Sequence, residues 1–427
     1  MSQQSKLLDD CFAHDKKRLR HEEALSILKQ RISPVAVQED VALIDAAGRI
    51  LSTSITAPHS VPAHTNTAVD GFSLAFADYD AKAGSELPVE GRAAAGHQLA
   101  TKPAAGTAAR IFTGAVMPEG HDTVVMQEDV RFGTVDGRQF VGIPPGLKAG
   151  ANVRKAGEDV KAGETVLQPG TVLRPQDLAA LASLGVSPVP CFARLRVGIV
   201  STGDEVIRVG APLAPGQVYD ANAPMLMALI GTAGAVAVDL GVLPDKLDEV
   251  QQRLAQAAAQ FDVIITSGGA SRGEEDHITT ALDALGKRHL WQLAIKPGRP
   301  MSFGQIGNCV LLGLPGNPVA VFVCFLLYVW PLLRRMGGAP WPEPTRYQLP
   351  ALFAFKGRKV GRREFWRGML KETPRGLGVD KFARDGSGLI SGLRAADGLI
   401  DIPEDATDVQ PGDVLAFIPF SQFGIVR

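Results

Sequence analysis

Between Leu195 and Trp330 the sequence alternates strand-like runs with helix-like ones, and few folds accept that alternation. "LRVGIVSTGDEV" reads as a strand entering a loop, and "DANAPMLMALIGTAG" as a helix with Asp220 or Asn222 at its N-cap. "AVAVDLGVL" is a strand, "DKLDEVQQRLAQAAAQ" a helix, "FDVIITSGG" a strand and "DHITTALDAL" a helix. "NCVLLGLPGNP" is a strand that runs into an apolar helix. A βαβα series predicts a mostly parallel sheet with helices on both faces. Ligands of such sheets bind at the carboxyl ends of the strands. Three loops lie at those ends, "STGDE", "TSGGASRGEED" and "GLPGNP", and are expected to converge on one crevice.

The flanks have another texture. "HEEALSILKQRI" has helical spacing, and Ser33-Pro34 stops it. From about 58 to 190, short apolar runs alternate with Gly and Pro turns, which predicts β-rich structure. "RPQDLAALASLGV" then gives a helix with Gly185 near its end, and after "RRMGGAPWPEP" the chain turns β-like again. With 427 residues and 45% apolar content, several separate cores are expected. A net charge of −1 advertises neither nucleic acid nor an anionic membrane. Cys11, Cys191, Cys309 and Cys324 form no CxxC pair, which suits a reducing compartment. The N-terminus lacks an apolar signal core. The longest apolar run, Val319 to Trp330, is shorter than the roughly 20 residues that cross a bilayer, and Pro331 follows it, so a buried helix is expected. The chain is expected to be soluble and cytoplasmic.

The loop after "IITS" holds a chemical tension. Gly268, Gly269, Ser271 and Gly273 offer bare N–H groups that can close around a phosphate, while Glu274, Glu275 and Asp276 would repel one. Acids in a helix's first turn also complement its dipole, so capping is one reading of 274–276 and of Asp204-Glu205. A divalent cation between carboxylate and phosphate is the other, with Asp276 and Glu205 helping to hold Mg²⁺. "KPGRP" presents Lys296 and Arg299 on a rigid turn, an anion seat. "LPGNP" places Pro315, Gly316, Asn317 and Pro318 in a stiff loop whose N–H groups and amide can hold a ligand, or which simply turns strand into helix. His277 reads as a capping or packing residue. From Arg346 to Arg384 there are eleven Lys/Arg against three Asp/Glu, while 385–413 holds seven acids and one Arg. A small-polyanion pocket or a salt-bridged β surface ranks above a nucleic-acid patch for that stretch.

An ordered set of motifs carries a resemblance over nearly the whole chain: "AVDGF" at 68–72, "IFTGAVMPEGHDTVV" at 111–125 with Glu128, "RKAGEDV" at 154–160, "STGDE" at 201–205, "YDAN" at 219–222, "SGGASRGEED" at 267–276, "KPGRP" at 296–300, "LPGNPV" at 315–319 and "GRREFWRG" at 361–368. In this order they resemble the molybdopterin molybdenumtransferase family, which includes MoeA and the E domain of gephyrin. The resemblance implies a multidomain α/β plus β fold. Its parts would be a discontinuous linker-type domain (1–58 and 156–190), a β-rich inserted domain (59–155), a three-layer αβα molybdopterin-binding domain with a mostly parallel sheet (191–338) and a β-barrel-like C-terminal domain (339–427).

The implied reaction takes molybdate and adenylylated molybdopterin to molybdenum cofactor with release of AMP, assisted by Mg²⁺. The implied assembly is a cytoplasmic homodimer whose cleft draws on both subunits. Transient contact with the upstream adenylyltransferase and with molybdoenzymes follows from that role, and neither nucleic acid nor membrane is expected as a partner. Alternatives are a non-catalytic scaffold of the gephyrin type and a molybdopterin adenylyltransferase-like enzyme. Asp70, Thr113 and Asp159 match functional positions of the family's N-terminal half. Glu205, Asp245 and Asp276 match its acidic, metal-associated positions, and Lys296, Pro315 and Pro318 its basic and proline-loop positions. Ala270 and Arg272 stand where many members carry valine; Gln292 stands where some members carry lysine, and Arg299 where a second lysine is common.

Overall fold

Strand Val263–Ser267 is buried along its whole length, as its unbroken apolar run requires of a central parallel strand. The structure, a computed structural model, describes residues 18–243, 246–268, 277–298, 300–384, 386 and 388–426, with backbone alone at 288–292. Across the central sheet the order is Val236–Leu243, Arg196–Thr202, Val263–Ser267, Cys309–Leu314, Pro300–Ile306, Lys287–Gln292. The first four run parallel, and the last two add an antiparallel edge. Alternate residues face opposite ways. Val197, Ile199, Val263, Ile265, Val310 and Leu312 pack against helices Asn222–Thr232 and Pro318–Cys324. Val200, Ile264 and Leu311 pack against helices Leu247–Ala258 and His277–Leu285. The fold is thus mixed α/β with several sheets. Thr202, Ser267 and Leu314 finish on one edge.

The apolar helix is longer than the sequence run suggests. It spans Pro318–Met336 and is 89% buried, although by length and composition it could cross a membrane. It passes through Pro331 because Phe325–Val329 widen into a π-turn that makes room where proline lacks an N–H.

Upstream, strand Gln38–Val41 pairs with Val189–Phe192, and Ile55–Thr56 with Thr165–Leu167. The intervening chain builds its own six-stranded sheet, in the order Thr123–Met126, Gly71–Leu74, Ala108–Ile111, Ser85–Ala93, Arg138–Ile143, Arg131–Val135. Downstream, Arg363–Thr373, Gly398–Ile402, Val414–Pro419 and Tyr347–Pro350 form a further sheet, with Gly376–Lys381 on Arg363–Thr373. Ile295–Lys296, from the central unit, adds a short parallel strand beside Arg363 and Glu364. That pairing fixes the turn after Lys296 against the basic "GRREFWRG" strand.

Candidate active site

Three loops meet at the carboxyl edge of the parallel strands, and two polar side chains tie them. Asp220 is buried and accepts from the Asn222 and Ala223 N–H groups at 3.0 Å each, capping the helix that begins there. Its other oxygen accepts from the Ser201 hydroxyl and from Arg208, which also reaches Asp239. Asn222 donates to the Ser267 hydroxyl and to the Gly316 carbonyl, both at 2.7 Å. The Thr202 hydroxyl donates to the Ser267 carbonyl, and the Gly268 N–H to the Leu314 carbonyl. Gly268 has φ +96°, and a Cβ there would stand 2.5 Å from Thr202 Oγ1, so only glycine fits this crossing. The expected convergence of "STGDE", the start of the glycine loop and "GLPGNP" is present.

Glu205 is exposed, and its carboxylate lies against Gly203 at the mouth of this crevice. An open, acceptor-only carboxylate at a strand end suits a hard cation. Among the described residues, no group of three His, Cys, Asp or Glu could hold a metal. Asp245, Gly269, Ser271, Asp276 and Arg299, with Ala270 and Arg272, lie outside the described residues.

Lys296 and Pro315 line a second hollow, a cavity of about 370 Å³ between the central unit and the C-terminal sheet. Its floor comes from Gly298, Val319 and Ala320, and its far wall from Phe365, Trp366, Arg367, Lys381 and Phe382. Lys296, Arg367 and Lys381 bring three positive charges to this lining, and no described lining residue is acidic. Arg367 is buried, held by the Leu389 and Arg384 carbonyls, and lies over the Phe382 ring. Lys381 lies over Trp366. Lys296 stands 3.6 Å from Glu364, a buried carboxylate that also accepts from Arg362 and Trp366. Asn317 accepts from the Val319 N–H and caps its helix, as the plain turn reading required.

The basic stretch is largely neutralised from within. Arg363 and Arg346 converge on buried Asp401, and Arg358 gives its N–H groups to the Ala406, Arg362 and Pro403 carbonyls. Of the stretch, Arg367 and Lys381 line the cavity, while Lys356, Lys359, Lys371, Arg375 and Arg384 are exposed away from it. Sequence reading missed Arg367, Lys381, Asp220 and Asn222 as candidate site residues. "YDAN" and the basic stretch were visible, but their targets lie far along the chain.

In the N-terminal half, Asp70 accepts from the Thr113 N–H at 2.8 Å and from its hydroxyl at 2.7 Å. Those bonds, with some help from the Arg110 charge, hold the Asp70 carboxyl below its usual range. Asp159 is exposed, on the turn whose N–H groups bond to the Val61 carbonyl. Among the described residues, no hydrogen bond or ion pair joins Asp70, Thr113 or Asp159 to Glu205 or to the 315–318 loop.

Residues 19–185 match the family described as MoeA N-terminal region (domain I and II). Residues 198–335 match the "probable molybdopterin binding domain", and 349–420 the MoeA C-terminal region (domain IV). A molybdopterin molybdenumtransferase of Haemophilus influenzae is 36% identical over 90% of this chain and 94% of its own. Molybdopterin molybdenumtransferase 2 of Mycobacterium tuberculosis is 33% identical over 92% and 97%. The molybdopterin biosynthesis MoeA protein of Pyrococcus horikoshii OT3 superposes with a TM-score of 0.80 at 29% identity, over 94% of this chain and 100% of that one.

Proposed function

The chain belongs to the MoeA family of molybdopterin molybdenumtransferases, and on that premise we propose how it inserts molybdenum into molybdopterin. Molybdate, a tetrahedral dianion, sits in the cavity between Lys296, Arg367 and Lys381. The observation that carries this is the lining, which brings three cations and no described carboxylate to a water-accessible hollow beside the proline loop. The adenylylated pterin lies with its phosphates along Pro315, Gly316, Asn317 and Pro318 beside the Gly268 crossing, with Gly269 and Ser271 of the same loop as further candidate contacts. The Gly316 and Asn317 N–H groups, which donate to no described acceptor, together with those of Gly269 and Ser271, would take the oxygens. Glu205, Asp276 and Asp245 would hold a divalent ion, Mg²⁺ by its taste for carboxylate and phosphate oxygen. When bound, the ion neutralises charge between these acids and the phosphates. The protein's own part is to orient molybdate toward the pterin, to keep the crevice rigid through Asp220 and Asn222, and to let AMP leave.

We read the molecule as four parts (1–58 with 156–190, 59–155, 191–338, 339–427). The central part is read as three-layered, and the last as barrel-like because Ala351 bridges back to Val379. Asp70, Thr113 and Asp159 do not reach the crevice by any described contact within one chain, so they would serve the crevice of a partner copy in a cytoplasmic homodimer. Handover to molybdoenzymes, and receipt from the adenylyltransferase, would be transient contacts. The test is direct. Purified protein with adenylylated molybdopterin, molybdate and Mg²⁺ should release AMP and yield cofactor that activates an apo-molybdoenzyme. Failure of both sinks the reading.

A further inference from the structure

On the inserted sheet, strands Ser85–Ala93 and Ala108–Ile111 run parallel, and a register shift lies between Val89 and Arg92. Val89 pairs with Ala108, so regular pairing would set Gly91 opposite Arg110; instead Arg92 stands there. Bulges of this kind re-aim a side chain. Here the bulge turns on Gly91, with φ +83°, and its result is two arginines paired across neighbouring strands. Like charges placed opposite each other destabilise a sheet unless something spreads or neutralises them. Neither Arg92 nor Arg110 has an ion-pair partner among the described residues. They are spread by aromatic rings instead, and Arg110 also gives one Nη2 N–H to the Gln127 side-chain oxygen. Arg92 lies 4.5 Å from the Phe112 centroid, and Arg110 lies 5.1 Å from it and 4.7 Å from that of Phe72.

The pair opens onto a hollow of about 530 Å³ lined by Gly91, Arg92, Arg110, Phe132 and Gln139. That volume suits a small ligand. Phe132 is half exposed and stacks on buried Phe72 at 5.2 Å, so the hollow has an apolar side as well as a cationic one. The next residue after Phe112 is Thr113, bonded to Asp70. Arg110, which lines the hollow, is also close enough for its charge to act on Asp70, so the hollow adjoins the N-terminal residues that the proposed reaction uses.

We propose that Arg92 and Arg110, backed by Phe112 and flanked by Phe132, form a seat for a flat heteroaromatic ring that carries an anionic group. The guanidinium planes and exposed Phe132 stack the ring, and the two N–H forks take the anion. On the reading of function above, from which the ligand's identity follows, the occupant is one of the two halves of the adenylylated pterin. Both halves are flat rings with a phosphate.

Calorimetric titration of the full chain separates the sources. Pterin-6-carboxylate probes the pterin half and AMP the nucleotide half, with neutral pterin and adenosine as uncharged controls. One anionic probe should bind better than its neutral control. Arg92→Gln should raise its Kd at least about tenfold, the scale of one charge-assisted contact. Arg110→Gln should do the same, and Phe132→Leu should weaken the charged and neutral probes alike. Because Arg110 packs on a core ring, Arg92→Gln at an exposed position carries the result if Arg110→Gln melts early. The seat is overturned if neither anionic probe binds, or if the Arg92 variant binds like the wild type. Turnover of the wild type, assayed in parallel, keeps the two ideas apart. An active enzyme with unaltered probe binding in the variants loses only the seat, and an inactive one loses the proposed function.

Discussion

The Asn222 amide donates to the Gly316 carbonyl at 2.7 Å, joining residues 94 apart in sequence. The same nitrogen reaches the Ser267 hydroxyl, so one side chain locks two strand ends to the start of its own helix. Asn222→Asp replaces that double donor by a buried carboxylate facing a carbonyl oxygen. The expected cost is about 1–3 kcal/mol of stability, from unsatisfied and repelling groups. AMP release should fall at least about tenfold, because a crevice loosened by an ångström loses its preorganisation. Urea denaturation and the AMP assay read the two effects. A variant as stable and active as the wild type would show that the tie is incidental.

Lys296 tests the molybdate seat cleanly because its side chain is about half exposed, at 51%. Its pairing with Glu364 is therefore screened and adds little to folding. Lys296→Ala should melt like the wild type but need at least about tenfold more molybdate for half-maximal insertion, the loss of one charge-assisted contact. Unchanged molybdate dependence would mark Lys296 as surface charge.

Much of this site could be read without coordinates. The run "VIITS" within a βαβα series reads as a strand of a mostly parallel sheet, so the glycine and proline loops are expected to share an edge. Asn222 could not be read in full, because its local signal, a helix start, is satisfied by Asp220 two residues earlier. Its actual partners lie 45 and 94 residues on. The basic stretch misleads in a similar way. Its excess charge looks like a surface, yet Arg358 and Arg363 spend their N–H groups on buried carbonyls and Asp401, and Arg367 with Lys381 faces the cavity.

His21 makes a pH prediction. Burial, aided by the Arg363 charge, pushes its pKa down to about 3, and its Nδ1 bonds Tyr328 Oη at 2.8 Å. The folded state therefore binds this proton later than the unfolded chain, whose histidine titrates near 6.5. Stability from neutral His21 is complete above pH 6.5 and is lost as pH falls toward 3. Between pH 7.5 and 5.5 the loss from this one group should be about 1.4 kcal/mol. His21→Gln can keep the bond to Tyr328 and should remove that part of the slope. Parallel pH profiles of urea stability for the two proteins would refute the assignment.

Glu364 separates folding from anion binding in the opposite direction to Lys296. The carboxylate is 2% exposed and sits among Arg362 at 3.1 Å, Trp366 Nε1 at 2.9 Å, Lys296 at 3.6 Å and Arg358 at 3.7 Å. Glu364→Gln keeps an oxygen for Trp366 but removes the only carboxylate these three cations share among the described residues. Breaking a buried pair by losing one partner costs about 3–5 kcal/mol, and the low end is expected because backbone carbonyls already hold the Arg358 N–H groups. Molybdate should feel the reverse. Glu364 draws on the Lys296 charge, so without it the lysine has more to offer an incoming dianion. The variant should unfold at lower urea yet reach half-maximal insertion at equal or lower molybdate, measured below its melting range. If it instead needs more molybdate, as Lys296→Ala should, then Glu364 works by holding Lys296 in place rather than by competing for its charge.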